Sequence, residues 1–268
     1  MKLTDLHAAG TSAWLDDLSR AALTTTLPEH IARKEVFGVT TNPAIFQAAI
    51  TKDPSYKSAI EANRHLSAEE IVEKLTTEDV REACKLFRPI YDATNGVDAV
   101  SYTHLRAHAN PSVVHSVASF FVSRVDSAVD KLLTDDSLKG KAAVANARLA
   151  YELYLEKFKN YAHNHQRPLW ASTGVKDPAY RSTMYVDSLI APNTVNTMPP
   201  GTLDAVIASV IEAEDTITPN IAQAKEDLLA IAERGIDLIK ITDELEADGV
   251  DKFMASWDVL LAEVEKAK

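Results

Sequence analysis

The sequence has little cysteine, no long apolar run and no excess of positive charge. Cys84 is the single cysteine among 268 residues, which excludes an internal disulfide. No apolar run approaches the ~20 residues that span a bilayer, and no apolar signal segment stands at the N-terminus. A net charge of −11 argues against a surface that binds nucleic-acid phosphates. We therefore expect a cytoplasmic protein with neither nucleic-acid nor membrane partners.

The length and composition fit one large domain. Hydrophobic residues make up 46% of the 268 residues, enough for a sizeable core, and α/β barrels often have ~250 residues. Ser67 and Glu70 have the spacing of a helix capping box, and Thr77–Asp79 predicts the start of a second helix. Cys84 follows Val80 in the apolar pattern of that second helix, so we predict a buried, inert thiol.

The central stretch of the chain joins a strand to a helix. Val36–Thr40 is a short β-branched and apolar run, as in a buried strand, and Pro43 suits the first position of a helix. Thr41 and Asn42 lie between them, at the carboxyl end of the strand. That end carries the sites of parallel α/β folds, but Asn is also a common helix cap. The same geometry serves both interpretations of Asn42.

Two further strand ends carry residues with candidate functions. Ala13–Leu15 predicts a strand that ends in Asp16 and Asp17, and either carboxylate could instead cap the next helix. The apolar run around Val117–Val122 predicts a buried strand, with Arg124 in the first turn of the following helix. An arginine there suits phosphate binding, whereas pairing with Asp126 or Asp130 at the surface is the alternative.

A third strand end is rich in small residues. Leu169–Ala171 predicts a strand, and Ser172, Thr173 and Gly174 form the loop that precedes Lys176. Small residues let backbone amides approach an anion, and the lysine adds a positive charge. The sequence therefore predicts a second contact for an anionic group.

Four motifs resemble the transaldolase family, in its long bacterial, actinobacterial type. They are Thr40-Thr41-Asn42-Pro43, Tyr91–Val97, Val117–Asp126 and Arg167–Lys176, and the likeness extends over most of the chain. The resemblance implies a (β/α)8 barrel and a Schiff-base reaction of the pentose phosphate pathway, without metal or other cofactor. In that reaction a dihydroxyacetone unit moves between sugar phosphates.

The resemblance also implies roles for eight residues. Asp16, Asn42 and Ser119 match catalytic positions, with Asp16 handling protons and Asn42 binding the dihydroxyacetone end. The implied substrate-binding residues, of which Arg124 and Lys176 hold phosphate, are Thr41, Phe121, Arg124, Ser172 and Lys176.

The likeness breaks around residues 101–112. Relatives continue there into strands that carry a glutamate, the Schiff-base lysine and an Asn/Thr pair, and none of these patterns follows Ser101. We infer an internal deletion of about three strands with their helices in an otherwise single domain, residues 1–268. The expected fold is a barrel family member that is incomplete or opened, with exposed edges near Ala99–Val114.

The deletion bears directly on function. Without the lysine strand we expect a transaldolase-like chain that is inactive. A phosphosugar-binding protein without catalysis is one alternative. The other is a non-functional deletion or assembly artefact, because Ser101–His108 resembles translated sequencing-adapter DNA. The sequence predicts no oligomeric state. The five strands that remain are expected near Trp14–Asp16, Val36–Thr40, Val113–Ser119, Leu169–Ala171 and Asn193–Thr197.

Two patterns imitate functional sites. His104 and His108 are spaced for one helix face, with His115 nearby, but this stretch has no Cys or carboxylate to complete a zinc site, so we predict a linker and no metal. Leu238–Thr242 resembles the missing lysine strand. Its neighbours match the non-catalytic C-terminal region of the family, so Lys240 is not the expected nucleophile.

Overall fold

The computed structural model describes residues 3–99, 110, 112, 114–210 and 212–268, and within them one parallel sheet forms the centre of the fold. The strand order is β2-β1-β5-β4-β3, and every paired strand is parallel to its neighbour. The strands are β1 (Thr11–Asp16), β2 (Gly38–Thr40), β3 (Ser116–Phe121), β4 (Gln166–Ala171) and β5 (Thr194–Met198).

Helices connect the strands. The helices of the described part are α1 (Leu3–Ala8), α2 (Arg20–Thr24), α3 (Thr26–Ala32), α4 (Pro43–Lys52), α5 (Ser55–Ala62), α6 (Ala68–Ala93), α7 (Ser123–Val129), α8 (Ala142–Phe158), α9 (Met184–Asp187), α10 (Pro200–Ala208), α11 (Ile221–Glu233) and α12 (Leu238–Ala267), with 3-10 turns at Asp136–Leu138 and Thr218–Asn220. No helix among these residues is long and apolar enough to cross a membrane.

The register shows where the barrel is open. The first and last strands of the chain, β1 and β5, pair along their length, with Leu15 opposite Met198. The two edge strands are β2 and β3, which are consecutive in the described chain. In a closed barrel of this order the strands missing from the circle would lie between β2 and β3. The prediction of an incomplete, opened barrel with five remaining strands is confirmed.

The convex side of the sheet holds most of the core. One cluster around Leu6, Leu27 and Tyr56 joins both ends of the chain, and another surrounds Trp170 and Tyr185. Residues buried on the concave side form a small cluster: Trp14, Leu169, Ala171 and Val195. The concave side is therefore incompletely filled, and a cavity remains there.

Gly38 is required by the packing of this concave side. It is the register partner of Trp14, and a Cβ on Gly38 would lie 2.4 Å from Cε2 of the indole. Such an approach is closer than any real Cβ contact. The indole of Trp14, which is 3% exposed, therefore lies against bare backbone.

Helix α6 departs from two predictions. The capping box is present, with the Ser67 N–H donating to Glu70 Oε2 at 2.8 Å and the Glu70 N–H donating to Ser67 Oγ at 3.2 Å. The predicted second helix start at Thr77–Asp79 is wrong, because α6 runs unbroken from Ala68 to Ala93. The Thr76 hydroxyl donates to the Val72 carbonyl at 2.8 Å, an internal bond that a threonine can make without ending a helix. The predicted burial of Cys84 is also wrong, because its side chain is exposed.

Candidate active site

A cavity of about 1240 Å³ opens at the carboxyl ends of the strands. All eight residues that the sequence predicts as site residues line it: Asp16, Thr41, Asn42, Ser119, Phe121, Arg124, Ser172 and Lys176. We call these eight residues, together with Thr40 and Thr197, the strand wall. The opposite lining comes from α6, and we call Arg81, Cys84, Lys85 and Arg88 the helix wall.

Asp16 ends β1 and takes part in a short hydrogen-bonded chain. The Thr40 hydroxyl donates to Asp16 Oδ1 at 2.6 Å, and Oγ1 of Thr40 lies 2.5 Å from Oγ1 of Thr197. Burial raises the pKa of the Asp16 carboxyl, an effect that the Thr40 hydrogen bond opposes and the charge of Asp17 reinforces. A carboxyl with a raised pKa, held in a fixed position, is suited to exchanging protons with a bound hydroxyl.

Asn42 caps α4 and also lines the cavity. Its Oδ1 accepts from the N–H groups of Ala44 at 3.0 Å and Ile45 at 3.1 Å, so it caps α4. The same residue lines the cavity. The cap uses the amide oxygen and fixes the side chain, and the Nδ2 group has no hydrogen-bond partner among the described residues. Oγ1 of its neighbour Thr41 is buried and equally without a partner there.

Arg124 is free of the acidic neighbours that were its alternative partners. Asp126 accepts from the Ala143 N–H and the Tyr185 hydroxyl, and Asp130 accepts from Gly140 and Tyr180. The guanidinium of Arg124 lies 5.0 Å from the centre of the Phe121 ring instead. It also lies close to α12, where a Cβ on Gly249 would be 3.0 Å from one of its Nη atoms. No ion pair to Arg124 occurs within the described residues.

Lys176 and Ser172 follow β4 on the same side of the sheet as Arg124. Ser172 has a left-handed backbone, with φ of 55°, and its hydroxyl lies 3.0 Å from that of Ser123, the residue before Arg124. The exposed Lys176 has its Nζ 3.9 Å from the position that a Cβ on Gly174 would take. Both cations thus line one cavity at one end of the sheet.

Asp17 does not cap α2, although its position allowed that. Ser19 caps α2 instead, because its Oγ accepts from the Ala22 N–H at 3.1 Å. Asp17 is partly buried and lines a separate groove beside Asp53, and burial raises the pKa of its carboxyl. A serine three positions after the end of β1 was the signal that could have identified the cap.

Lys240 is not among the residues that line the cavity. Lys240 lies in the first turn of α12 with 73% of its side chain exposed, and its Nζ is 3.9 Å from Glu244. Such a solvated amine lacks the environment that Schiff-base chemistry needs. His104 and His108 lie outside the described residues. The described part contains no group of three His, Cys, Asp or Glu side chains that could hold a metal.

Sequence reasoning missed several lining residues. Thr40 and Thr197 hold Asp16, and their positions at the ends of β2 and β5 could have suggested this. The helix wall was missed entirely, because helical periodicity shows which residues share a face and not what that face meets.

Comparison with known proteins gives the family. The family model described as Transaldolase/Fructose-6-phosphate aldolase matches residues 13–103 and 90–264. The protein named Transaldolase 1 of Streptomyces avermitilis is 40% identical over 357 aligned positions, which cover 98% of this chain and 94% of the relative. The Transaldolase of Kocuria rhizophila is 39% identical, with 99% and 97% covered. The chain belongs to the transaldolase/fructose-6-phosphate aldolase family.

The comparisons also locate the break in this transaldolase-family chain. The alignment to the Streptomyces relative has 357 positions, whereas the chain has 268 residues, so at least 89 positions of the relative have no counterpart here. The family match is divided into two segments that meet at residues 90–103. An internal deletion around residues 101–112 accounts for both observations and for the open sheet between β2 and β3.

Proposed function

We propose that this transaldolase-family chain binds phosphorylated sugars in its cavity without transferring a carbon unit between them. The observation that carries the proposal is the strand wall, where two unpaired cations, Arg124 and Lys176, face the same space as Asp16 and Asn42. Arginine and lysine bind the phosphate, and the carboxylate, amide and serine groups bind the sugar hydroxyls.

The proposed absence of catalysis follows from the environment of the lysines. Class I aldol transfer needs an unprotonated amine that forms a Schiff base with the ketose, so the lysine must be desolvated or lie next to another cation. Among the described residues the lysines that line the cavity are Lys85 and Lys176, and both are exposed. Such solvated amines lack the desolvated environment that Schiff-base chemistry needs. Phosphate binding alone does not break a carbon–carbon bond.

The proposed binding of sugar phosphates is tested by thermal unfolding with fructose 6-phosphate. A ligand that binds only the folded chain raises its Tm. We expect Arg124→Ala to weaken the affinity roughly 10- to 100-fold, the effect of one hydrogen bond to a charged group. Arg33→Gln just after α3, an exposed arginine outside the cavity, is the matched control and should keep the wild-type affinity. An unchanged Tm with saturating sugar phosphate would refute the proposed binding of sugar phosphates.

The proposed absence of catalysis is tested by a turnover assay and by borohydride trapping of a Schiff base. The purified chain should show no transaldolase turnover, and borohydride reduction in the presence of fructose 6-phosphate should leave its mass unchanged. A mass increase equal to a reduced three-carbon adduct on any lysine, Lys176 or Lys240 included, would overturn the proposed absence of catalysis.

A non-functional product of faulty sequence assembly is the second candidate, favoured by the resemblance of Ser101–His108 to adapter sequence. Re-sequencing codons 98–114 from the source DNA tests it. We expect the 268-residue reading frame to be found intact. Recovery of the missing strands would replace the proposal by an ordinary active transaldolase.

A further inference from the structure

The helix wall gives the cavity a second basic side. Arg81, Lys85 and Arg88 have the spacing i, i+4 and i+7, which places them on one face of α6, and all three line the cavity. No motif of the sequence analysis includes them, and the proposed phosphate contacts, Arg124 and Lys176, belong to the strand wall.

The charge of the lining is opposite to that of the chain. Arg81, Lys85, Arg88, Arg124 and Lys176 face the cavity, and Asp16 is the one carboxylate among the described lining residues. The whole chain carries a net charge of −11. Cations concentrated in a concave site raise the local concentration of anions, so the cavity favours a ligand with more than one negative group.

The cations of the helix wall differ in how far they are neutralised. Lys85 Nζ lies 2.6 Å from Glu82, and Arg88 Nε lies 2.8 Å from Asp92, so each already has a carboxylate partner on α6. Arg81 has no ion pair and no hydrogen bond to any described residue. Arg81 on one wall is therefore the counterpart of the unpaired Arg124 and Lys176 on the other.

The size of the cavity agrees with two separated anionic groups. Its volume of about 1240 Å³ exceeds the roughly 300–1,000 Å³ of ordinary small-molecule pockets. A sugar with one phosphate, held at the strand wall, would leave the helix wall and its free guanidinium in water. Guanidinium groups bind phosphate through two parallel hydrogen bonds, which a lysine cannot do.

We propose that the preferred ligand is a sugar that carries two phosphate groups, one held by Arg124 and Lys176 and the other by Arg81. This inference rests on the proposed binding of sugar phosphates and adds the substrate class and a new anion subsite on α6. It assigns Arg81 the role of selecting bisphosphates over monophosphates.

Calorimetric titration of the full chain tests the assignment with fructose 6-phosphate and fructose 1,6-bisphosphate at equal ionic strength. The bisphosphate should bind about tenfold tighter or more, the effect of one added charged hydrogen bond. Arg81→Gln should abolish this preference and leave the monophosphate affinity within about twofold. Arg81→Lys should restore part of the preference, and Arg33→Gln should retain all of it.

Cys84 provides a second readout without any arginine variant. It is the single cysteine, it is exposed, and it lies one turn after Arg81 in the same lining. Saturating bisphosphate should slow its alkylation by iodoacetamide several-fold, whereas saturating monophosphate should leave the rate near that of the free chain.

The outcomes separate the two proposals. Failure of the wild-type chain to bind either sugar would refute the proposed function together with this inference. Monophosphate binding with an equal bisphosphate affinity would refute the inference alone, as would a bisphosphate preference that survives in Arg81→Gln. Equal protection of Cys84 by both ligands would also overturn the assignment of the second phosphate to the helix wall.

Discussion

The two walls of the cavity are held in place by different means. Two residues of the strand wall are fixed by hydrogen bonds. Asp16 accepts from the Thr40 hydroxyl, which lies beside that of Thr197, and Asn42 accepts from the first N–H groups of α4. The cations of the helix wall extend from the surface of α6. Lys85 and Arg88 are paired only with flexible side chains of the same helix, and Arg81 has no partner among the described residues. Asp16 and Asn42 of the strand wall are thus preorganised for recognition, whereas the helix wall adds charge that can adapt to the ligand.

The largest expected effect comes from a buried carboxyl next to the strand wall, which makes the free energy of unfolding depend on pH. Asp126 lies two residues after Arg124 on α7 and is 2% exposed. Burial raises its pKa to about 6, although hydrogen bonds from the Ala143 N–H at 2.7 Å and the Tyr185 hydroxyl at 2.8 Å stabilise the charged form. The carboxyl of the unfolded chain has the ordinary pKa of 3.8.

The sign of the effect follows from these two values. Below pH ~4 both states bind the proton, and as pH rises to ~6 the unfolded state loses it first. Asp126 should therefore lower the free energy of unfolding by about 3 kcal/mol across this range and add no further change above it. Urea unfolding from pH 4 to 7 measures the slope, which Asp126→Asn should flatten. The exposed Asp251→Asn is the control, and an unaltered slope in Asp126→Asn would contradict the assignment.

The same contrast explains what the sequence could predict. A strand end is marked locally, by an apolar run followed by small polar residues, so Asp16, Asn42, Ser172 and Lys176 could be placed at one edge of a parallel sheet. Three of the four family motifs carried this further, because each contains the end of a strand and the residues after it. The five strands and the open barrel followed from counting these segments.

The environment of a helix face is not marked locally. Cys84 stands in an apolar pattern with Val80, which predicted burial, but burial depends on what packs against α6. In the structure that face borders the cavity, and Phe87 is buried while Cys84 is exposed. The predicted helix boundary at Thr77 failed for a related reason, since residues that cap helices are also tolerated inside them.

A second prediction concerns the packing under the strand wall. Gly38→Ala would place a Cβ 2.4 Å from Cε2 of Trp14, so the indole or β2 must move. We expect a loss of ~1–3 kcal/mol in the free energy of unfolding, as overpacking usually costs. The matched control is Gly201→Ala on α10, where a Cβ meets nothing within 4 Å and should be neutral or stabilising. Equal unfolding midpoints in urea for the two variants would show that the indole has room to move.

The smallest expected effect belongs to the helix wall. Cys84 is exposed, so Cys84→Ala removes no buried contact, and the free energy of unfolding should change by less than ~0.5 kcal/mol. Phe87→Ala, three residues further along α6, is the matched contrast, because Phe87 is 3% exposed and its loss should cost ~3–5 kcal/mol. Urea unfolding of both variants at one pH separates the buried position from the exposed one on this helix. A loss above ~1 kcal/mol in Cys84→Ala would mean that the thiol is packed in solution. The helix wall would then be closed by protein, and Arg81 would no longer face a free cavity.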